Sequence, residues 1–200
     1  MGESESEARE TVVEIAINTG SEQDDEAAAR LLETLNVEEA IKRTLQAVRV
    51  TQPVMLTLVI CGDAEMQALN RQYRQQDKPT DVLSFPLLDE PLVEAPPEWL
   101  WQSPESPESA AGASEETKPV FVTPEELGTN LGDIVISWPT VRRQAREAGH
   151  DVAYELLFLL CHGVLHLVGY DDATEAGYTE MVRLQKEVCF NLERDRKEFA

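Results

Sequence analysis

His162 and His166 sit four residues apart inside an apolar stretch, His162-Gly163-Val164-Leu165-His166-Leu167-Val168-Gly169-Tyr170-Asp171-Asp172. On a helix, positions i and i+4 share a face, so both imidazoles can point at one centre. Gly169 follows the second histidine closely and can end the helix and turn the chain back. A carboxylate ten residues after the first histidine, Asp172, then completes a three-ligand metal set with its fourth position open.

The spacing is that of the metzincin zinc helix, H-E-x-x-H-x-x-G-x-x-H, with two departures. Gly163 stands where those peptidases carry their general-base Glu, which argues against ordinary peptidase chemistry. Asp172 stands where they carry the third His, and an Asp oxygen is an acceptable zinc ligand.

The elements that must position these groups follow from periodicity. Thr11 to Asn18 is β-branched and partly alternating, which predicts a strand. Asp24 to Val48 turns helical, with Val37, Ile41, Leu45 and Val48 on one face and Asn36 as N-cap. Met55 to Ile60 predicts a second strand. Asp63 should cap a helix whose apolar face holds Met66, Leu69 and Tyr73. The turn Asp77-Lys78-Pro79-Thr80-Asp81 leads into a short strand, Val82 to Pro86, which Pro86 ends or places at an edge. Leu131 to Ser137 is strongly apolar and reads as a fourth strand. Helices follow from Trp138 to Gly149, from Asp151 through both histidines, and from about Thr174 to the C-terminus. The expectation is an α+β fold: one layered domain over residues 11–200, with about four strands in a mixed sheet packed with helices around a metal-binding central helix.

Charge is unevenly placed. The formal net charge is −21, but residues 1–40 hold 12 acidic and 2 basic side chains, and residues 88–126 hold 10 acidic and 1 basic. The part carrying the histidines is therefore close to neutral, and a polyanionic partner is not excluded. Residues 1–10 read as a disordered acidic lead without the apolar core of a secretory signal. Residues 88–126 hold seven of the eleven prolines and read as a mostly disordered insertion without a core of its own. Trp99 and Trp101 are the exception, and packing back on the domain is the favoured reading. Cys61, Cys161 and Cys189 make an odd count with no CxxC, which points to buried thiols in a reducing compartment. The apolar window Val152 to Val168 contains Glu155 and both histidines and is short for a bilayer span, so no membrane is expected.

Three ordered blocks resemble the YbeY endoribonuclease family of bacterial rRNA maturation factors. Asn70 to Pro86 is similar to its N-x-x-Y/F-R-x-x-D-x-P-T-(D/N)-V-L-S-F-P block. Leu131 to Ser137 is similar to its L-G-D-I-x-I-S strand, and His162 to Asp171 to its H-G-x-L-H-L-x-G-Y-D, which the family follows with a third His. The resemblance implies a metal-dependent, single-strand-specific endoribonuclease in 16S rRNA 3′-end maturation and ribosome quality control. It implies a cytoplasmic protein acting on single-stranded rRNA at the ribosome or its proteins, and not on DNA. By position, His162 and His166 match two ligands of one Zn²⁺, and Asp172 stands at the third. Asp171 is a neighbouring alternative ligand, although the register favours Asp172. His162 and Arg74 match residues tied to cleavage. Arg142, Arg143 and Arg146 can contact phosphates or form a solvated helix face. Asp77 and Asp81 brace the turn or orient a ligand histidine, bracing being the simpler role. A different metal hydrolase, or an assembly factor with a structural zinc, would use the same ligands.

Overall fold

The computed structural model describes residues 11–102 and 128–198. The expected acidic lead, residues 1–10, and residues 103–126 of the expected insertion lie outside them.

Strands β1 (Val12–Asn18), β2 (Val54–Cys61), β3 (Val82–Pro86) and β4 (Thr129–Ser137) form one sheet in the order β1-β2-β4-β3. β1, β2 and β4 run parallel, and β3 lies antiparallel to β4 on the outer edge. An edge position suits β3, because Pro86 has no N–H to give to a further strand. The α-helices among the described residues are α1 (Glu22–Leu35), α2 (Val37–Ala47), α3 (Asp63–Arg74), α4 (Trp138–Ala148), α5 (Val152–Val168) and α6 (Glu175–Glu198). The expected α+β layered fold with a four-stranded mixed sheet is the one observed.

Strand alternation divides the interior in two. Val54, Leu56, Leu58 and Ile60 of β2, with Ile134 and Ile136 of β4, face a large core shared with α1, α2, α5 and α6. Cys61, Leu83 and Val135 face the opposite way and join Met66 in a small core beneath α3. α5 is apolar on nearly every side and lies at the centre of the large core, as a helix without a polar face must. Gly163 permits this packing. A Cβ there would sit 2.7 Å from Ile134 Cγ2, so the glycine marks where α5 presses closest on β4. No single helix among the described residues is long and apolar enough to cross a membrane.

Three local expectations differ from the structure. The helical stretch from Asp24 to Val48 is two helices. Asn36 takes a left-handed conformation (φ 48°) between them and accepts a hydrogen bond from the Glu39 N–H as the N-cap of α2. Asp63 does not cap α3. Gly62 holds that position, and the Asp63 carboxylate reaches across to α4 instead. Tyr73 is not on the buried face of α3. It is 59% exposed and meets only the edge of Phe85, with ring centroids 4.9 Å apart.

Residues 88–102, expected to lack a core, pack on the large one. Val93 is buried, and Leu88, Leu92, Ala95, Trp99 and Leu100 lie against the core. The favoured packing of the two tryptophans is seen in the same segment. Trp99 ends a 3-10 helix (Pro97–Trp99), and the Trp101 Nε1–H donates to the His166 carbonyl at 3.3 Å.

Candidate metal centre

α5 carries His162 and His166 on adjacent turns with their Nε2 atoms 3.0 Å apart. Asp151 starts the helix by accepting from the Ala153 N–H, and Gly169 ends it. The φ of Gly169 is +125°, and a Cβ there would fall 2.5 Å from Pro91 Cβ. Both facts demand glycine. The chain then reverses, with the Tyr170 N–H bonded to the Leu165 carbonyl and the Tyr170 ring buried. This reversal brings Asp172 back over the helix end. Its Oδ2 lies 3.8 Å from His162 Nε2 and its Oδ1 3.9 Å from His166 Nε2.

The strap of residues 97–101 holds this loop in place. The Trp101 N–H donates to the Gly169 carbonyl, the Asp171 N–H to the Trp99 carbonyl, and the Thr174 hydroxyl to the Glu98 carbonyl. Asp171 is not part of the group that Asp172 forms with the histidines, and its Oδ1 accepts from the Ala173 N–H. Of the two adjacent aspartates, the structure gathers Asp172 with the histidines. The donor atoms of His162, His166 and Asp172 lie within 4.8 Å of one another, and among the described residues this is the one such group.

The tautomer of His166 follows from its surroundings. Its Nδ1–H donates to the Tyr170 carbonyl at 2.9 Å, which leaves the Nε2 lone pair directed at His162 and Asp172. Burial, and then the neighbouring His162, push the His166 imidazole below its usual pKa, against opposing pulls from Asp172, the Tyr170 carbonyl and Asp171. The neutral form is therefore favoured, and only that form can ligate a metal.

Around the three groups lies a cavity of about 190 Å³ along the outer edge of β3. Asn70, Arg74, Gln76, Thr80, Asp81 and Ser84 line it together with His162, His166 and Asp172. Arg74 is the last residue of α3, and its guanidinium makes no hydrogen bond or ion pair among the described residues. The turn below it is well held. Buried Asn70 donates from Nδ2 to the Lys78 carbonyl at 2.8 Å, and Gln67 donates to Asp77 Oδ1 at 3.0 Å. Asp81 accepts from Thr80, from the Val82 N–H and from Gln144. Asp77 and Asp81 thus brace the turn, and neither bonds a histidine. The arginines of α4 are largely spent: Arg142 pairs with Asp24 at 2.8 Å and Arg143 with Asp63 at 2.6 Å.

Sequence reasoning missed Asn70 as the pin of the turn, Ser84 as a lining residue, and the bond from Trp101 to the His166 carbonyl. Asn70 and Ser84 lie in the recognised block, but nothing in their spacing assigns them a contact.

The endoribonuclease YbeY family model matches residues 18–193. The chain belongs to the YbeY endoribonuclease family. An endoribonuclease YbeY of Dehalococcoides mccartyi is 39% identical over 152 residues, covering 76% of this chain and 82% of the relative. One from Moorella thermoacetica is 37% identical over 180 residues, covering 88% and 95%. One from a Roseiflexus species is 36% identical over 171 residues, covering 85% and 90%. The solution structure of TM1509 from Thermotoga maritima shares the fold, with a TM-score of 0.52, 24% identity and 92% of each chain covered. The YbeY family match covers α3, β3 and α5, whose residues line the cavity, and Asp172 after them.

Proposed function

We propose that this YbeY family member is a zinc-dependent endoribonuclease that cleaves single-stranded RNA in 16S rRNA 3′-end maturation. In this reading one Zn²⁺ is held by His162, His166 and Asp172, and Arg74 and His162 are the catalytic residues. The observation that carries it is the convergence of three ligand-type donors on a cavity that also holds an unpaired guanidinium.

The donor set fits the ion. Two imidazole nitrogens on one tetrahedral zinc stand about 3.3 Å apart, close to the 3.0 Å between the two Nε2 atoms. The Asp172 oxygens make no hydrogen bond among the described residues and approach only the two histidines, so their lone pairs are free. Asp172 is 42% exposed, so the set opens to solvent. A structural zinc is closed by a fourth protein ligand, and the described residues offer three. These features support catalysis over a structural zinc. When bound, zinc lowers the pKa of a water and polarises a phosphoryl oxygen.

The chain's own residues supply the rest. Arg74, with its five N–H donors uncommitted, binds the phosphate bidentately and offsets charge growing on it. The Tyr170 carbonyl and the strap at Trp101 orient His166, and Arg74 lines the same cavity from the end of α3. The substrate in this reading is single-stranded rRNA, met at the ribosome. Buried free thiols at Cys61, Cys161 and Cys189 support a reducing, cytoplasmic setting.

The reading is tested with purified protein on a single-stranded RNA copied from the 16S precursor 3′ end and on the same sequence as a duplex. The wild type should cleave the single strand, spare the duplex and carry one zinc. Full activity of both Arg74→Ala and His162→Ala would overturn it.

A further inference from the structure

We propose that the Ser84 hydroxyl is a substrate contact of this cavity, donating a hydrogen bond to a non-bridging oxygen of the RNA phosphate that Arg74 binds. The inference rests on the nuclease reading and adds to it a residue that neither spacing nor metal-ligand chemistry picks out.

Ser84 Oγ is buried and has no hydrogen-bond partner. Buried hydroxyls are almost always bonded, so an orphan one calls for an explanation. Other hydroxyls of the interior are accounted for. Thr44 donates to the Ala40 carbonyl, Ser137 to Asp63, and Thr140 to the same carboxylate. Among the described residues Ser84 carries the one buried hydroxyl left without a partner.

Its position in the sheet explains why the cavity is the place for a partner. On β3, Leu83 and Phe85 turn toward the small core beneath α3, so Ser84 turns to the opposite face, toward α5. Across the ladder it pairs with Ile134, the side chain on which Gly163 of α5 rests. Gly163 adjoins His162, so Ser84 pairs with the residue against which the histidine-bearing turn of α5 packs. Ser84 lines the same cavity as Arg74, His162, His166 and Asp172.

The chemistry points to phosphate rather than to a base edge. A phosphate oxygen only accepts, and Arg74 on the same cavity only donates. A serine hydroxyl, neutral and short, supplies one more donor there without adding charge. Of the four buried side-chain polar atoms left without a partner among the described residues, only that of Ser84 belongs to a residue lining the cavity.

The test separates this role from a structural one. If Ser84 supported the fold, Ser84→Ala would lower the melting temperature. If the hydroxyl waits for a ligand, its removal leaves the melting temperature unchanged or raised, because no protein hydrogen bond is lost. We expect Ser84→Ala to keep the wild-type zinc content and melting temperature. Its kcat/KM on single-stranded precursor RNA should fall about tenfold to a hundredfold, as for a lost hydrogen bond to a charged group. Ser84→Thr, which keeps the hydroxyl, should recover most of that loss. Undiminished cleavage by Ser84→Ala, or a loss matched by a fall in melting temperature or zinc content, would overturn the assignment while leaving the nuclease reading intact. A wild-type protein that cleaves no RNA would overturn both.

Discussion

Two polar clusters flank the sheet, and they differ in how their hydrogen-bonding capacity is spent. In the first, the Asp63 carboxylate takes the Ser137 hydroxyl at 2.6 Å, the Thr140 hydroxyl at 3.1 Å and the Arg143 guanidinium at 2.6 Å. Arg143 also donates to Thr140, so the cluster closes on itself and ties the start of α3 to α4. Burial alone would raise the Asp63 carboxyl, but the bonds from Arg143, Ser137 and Thr140 outweigh it and hold it below the usual carboxylate range. In the second cluster, among the described residues, Arg74 has no partner, Ser84 Oγ is an orphan, and the donor atoms of two histidines and Asp172 lie together. The first has nothing left to offer a ligand. The second keeps its donors and acceptors unspent among the described residues.

The contrast predicts opposite responses to mutation. The largest effect is expected at the ligands. His166→Ala should drop zinc occupancy and leave less than about a hundredth of the cleavage rate, with α5 still folded. Metal analysis beside a cleavage assay checks it. Next, Arg74→Ala should cost about a hundredfold to a thousandfold in kcat, the usual loss for one donor to a developing charge. Its melting temperature should not move, since the guanidinium bonds nothing in the fold.

Asp63→Ala should do the reverse. It should lower stability by about 1–2 kcal/mol, discounted for the partial exposure of the pair, and leave activity per folded molecule unchanged. The midpoint of urea unfolding measures this. The sign of its pH dependence follows from the lowered carboxyl. Asp63 is more acidic folded than unfolded, so its contribution is full above the ordinary carboxylate pKa of about 3.9 and is lost as pH falls through the folded value. The wild type should therefore lose stability in acid more steeply than Asp63→Ala. The smallest effect is expected at Trp101→Phe, which removes the bond to the His166 carbonyl. It should cost about 1 kcal/mol of stability and weaken zinc binding only slightly.

Much of this contrast was legible in the chain, and the physical reason is range. The i, i+4 spacing of His162 and His166 is read within one helical turn, and Gly169 and Asp172 follow within the next few residues. The strand Val82 to Pro86 was read locally, with Pro86 either ending it or placing it at an edge, and the structure shows the edge. What was not legible depends on partners far along the sequence. Asp63 looks like a cap because its neighbours are helical, but its carboxylate belongs to residues more than seventy positions away. That Trp99 and Trp101 pack back on the domain was legible, but not that the strap they belong to holds the end of α5. Tyr73 fits the apolar face of α3 by spacing, yet it stays exposed beside Phe85 of β3. Ser84 is an ordinary strand residue until the whole fold shows that nothing bonds it.

The central claim is that His162, His166 and Asp172 hold one ion on which RNA cleavage depends. The most direct measurement strips metal from the full chain and follows cleavage of single-stranded 16S precursor RNA as zinc is returned. The account predicts no cleavage by the stripped protein and recovery that saturates at one equivalent of zinc in the wild type, with no recovery in His162→Ala. Cleavage by the stripped wild type at the full rate would contradict it.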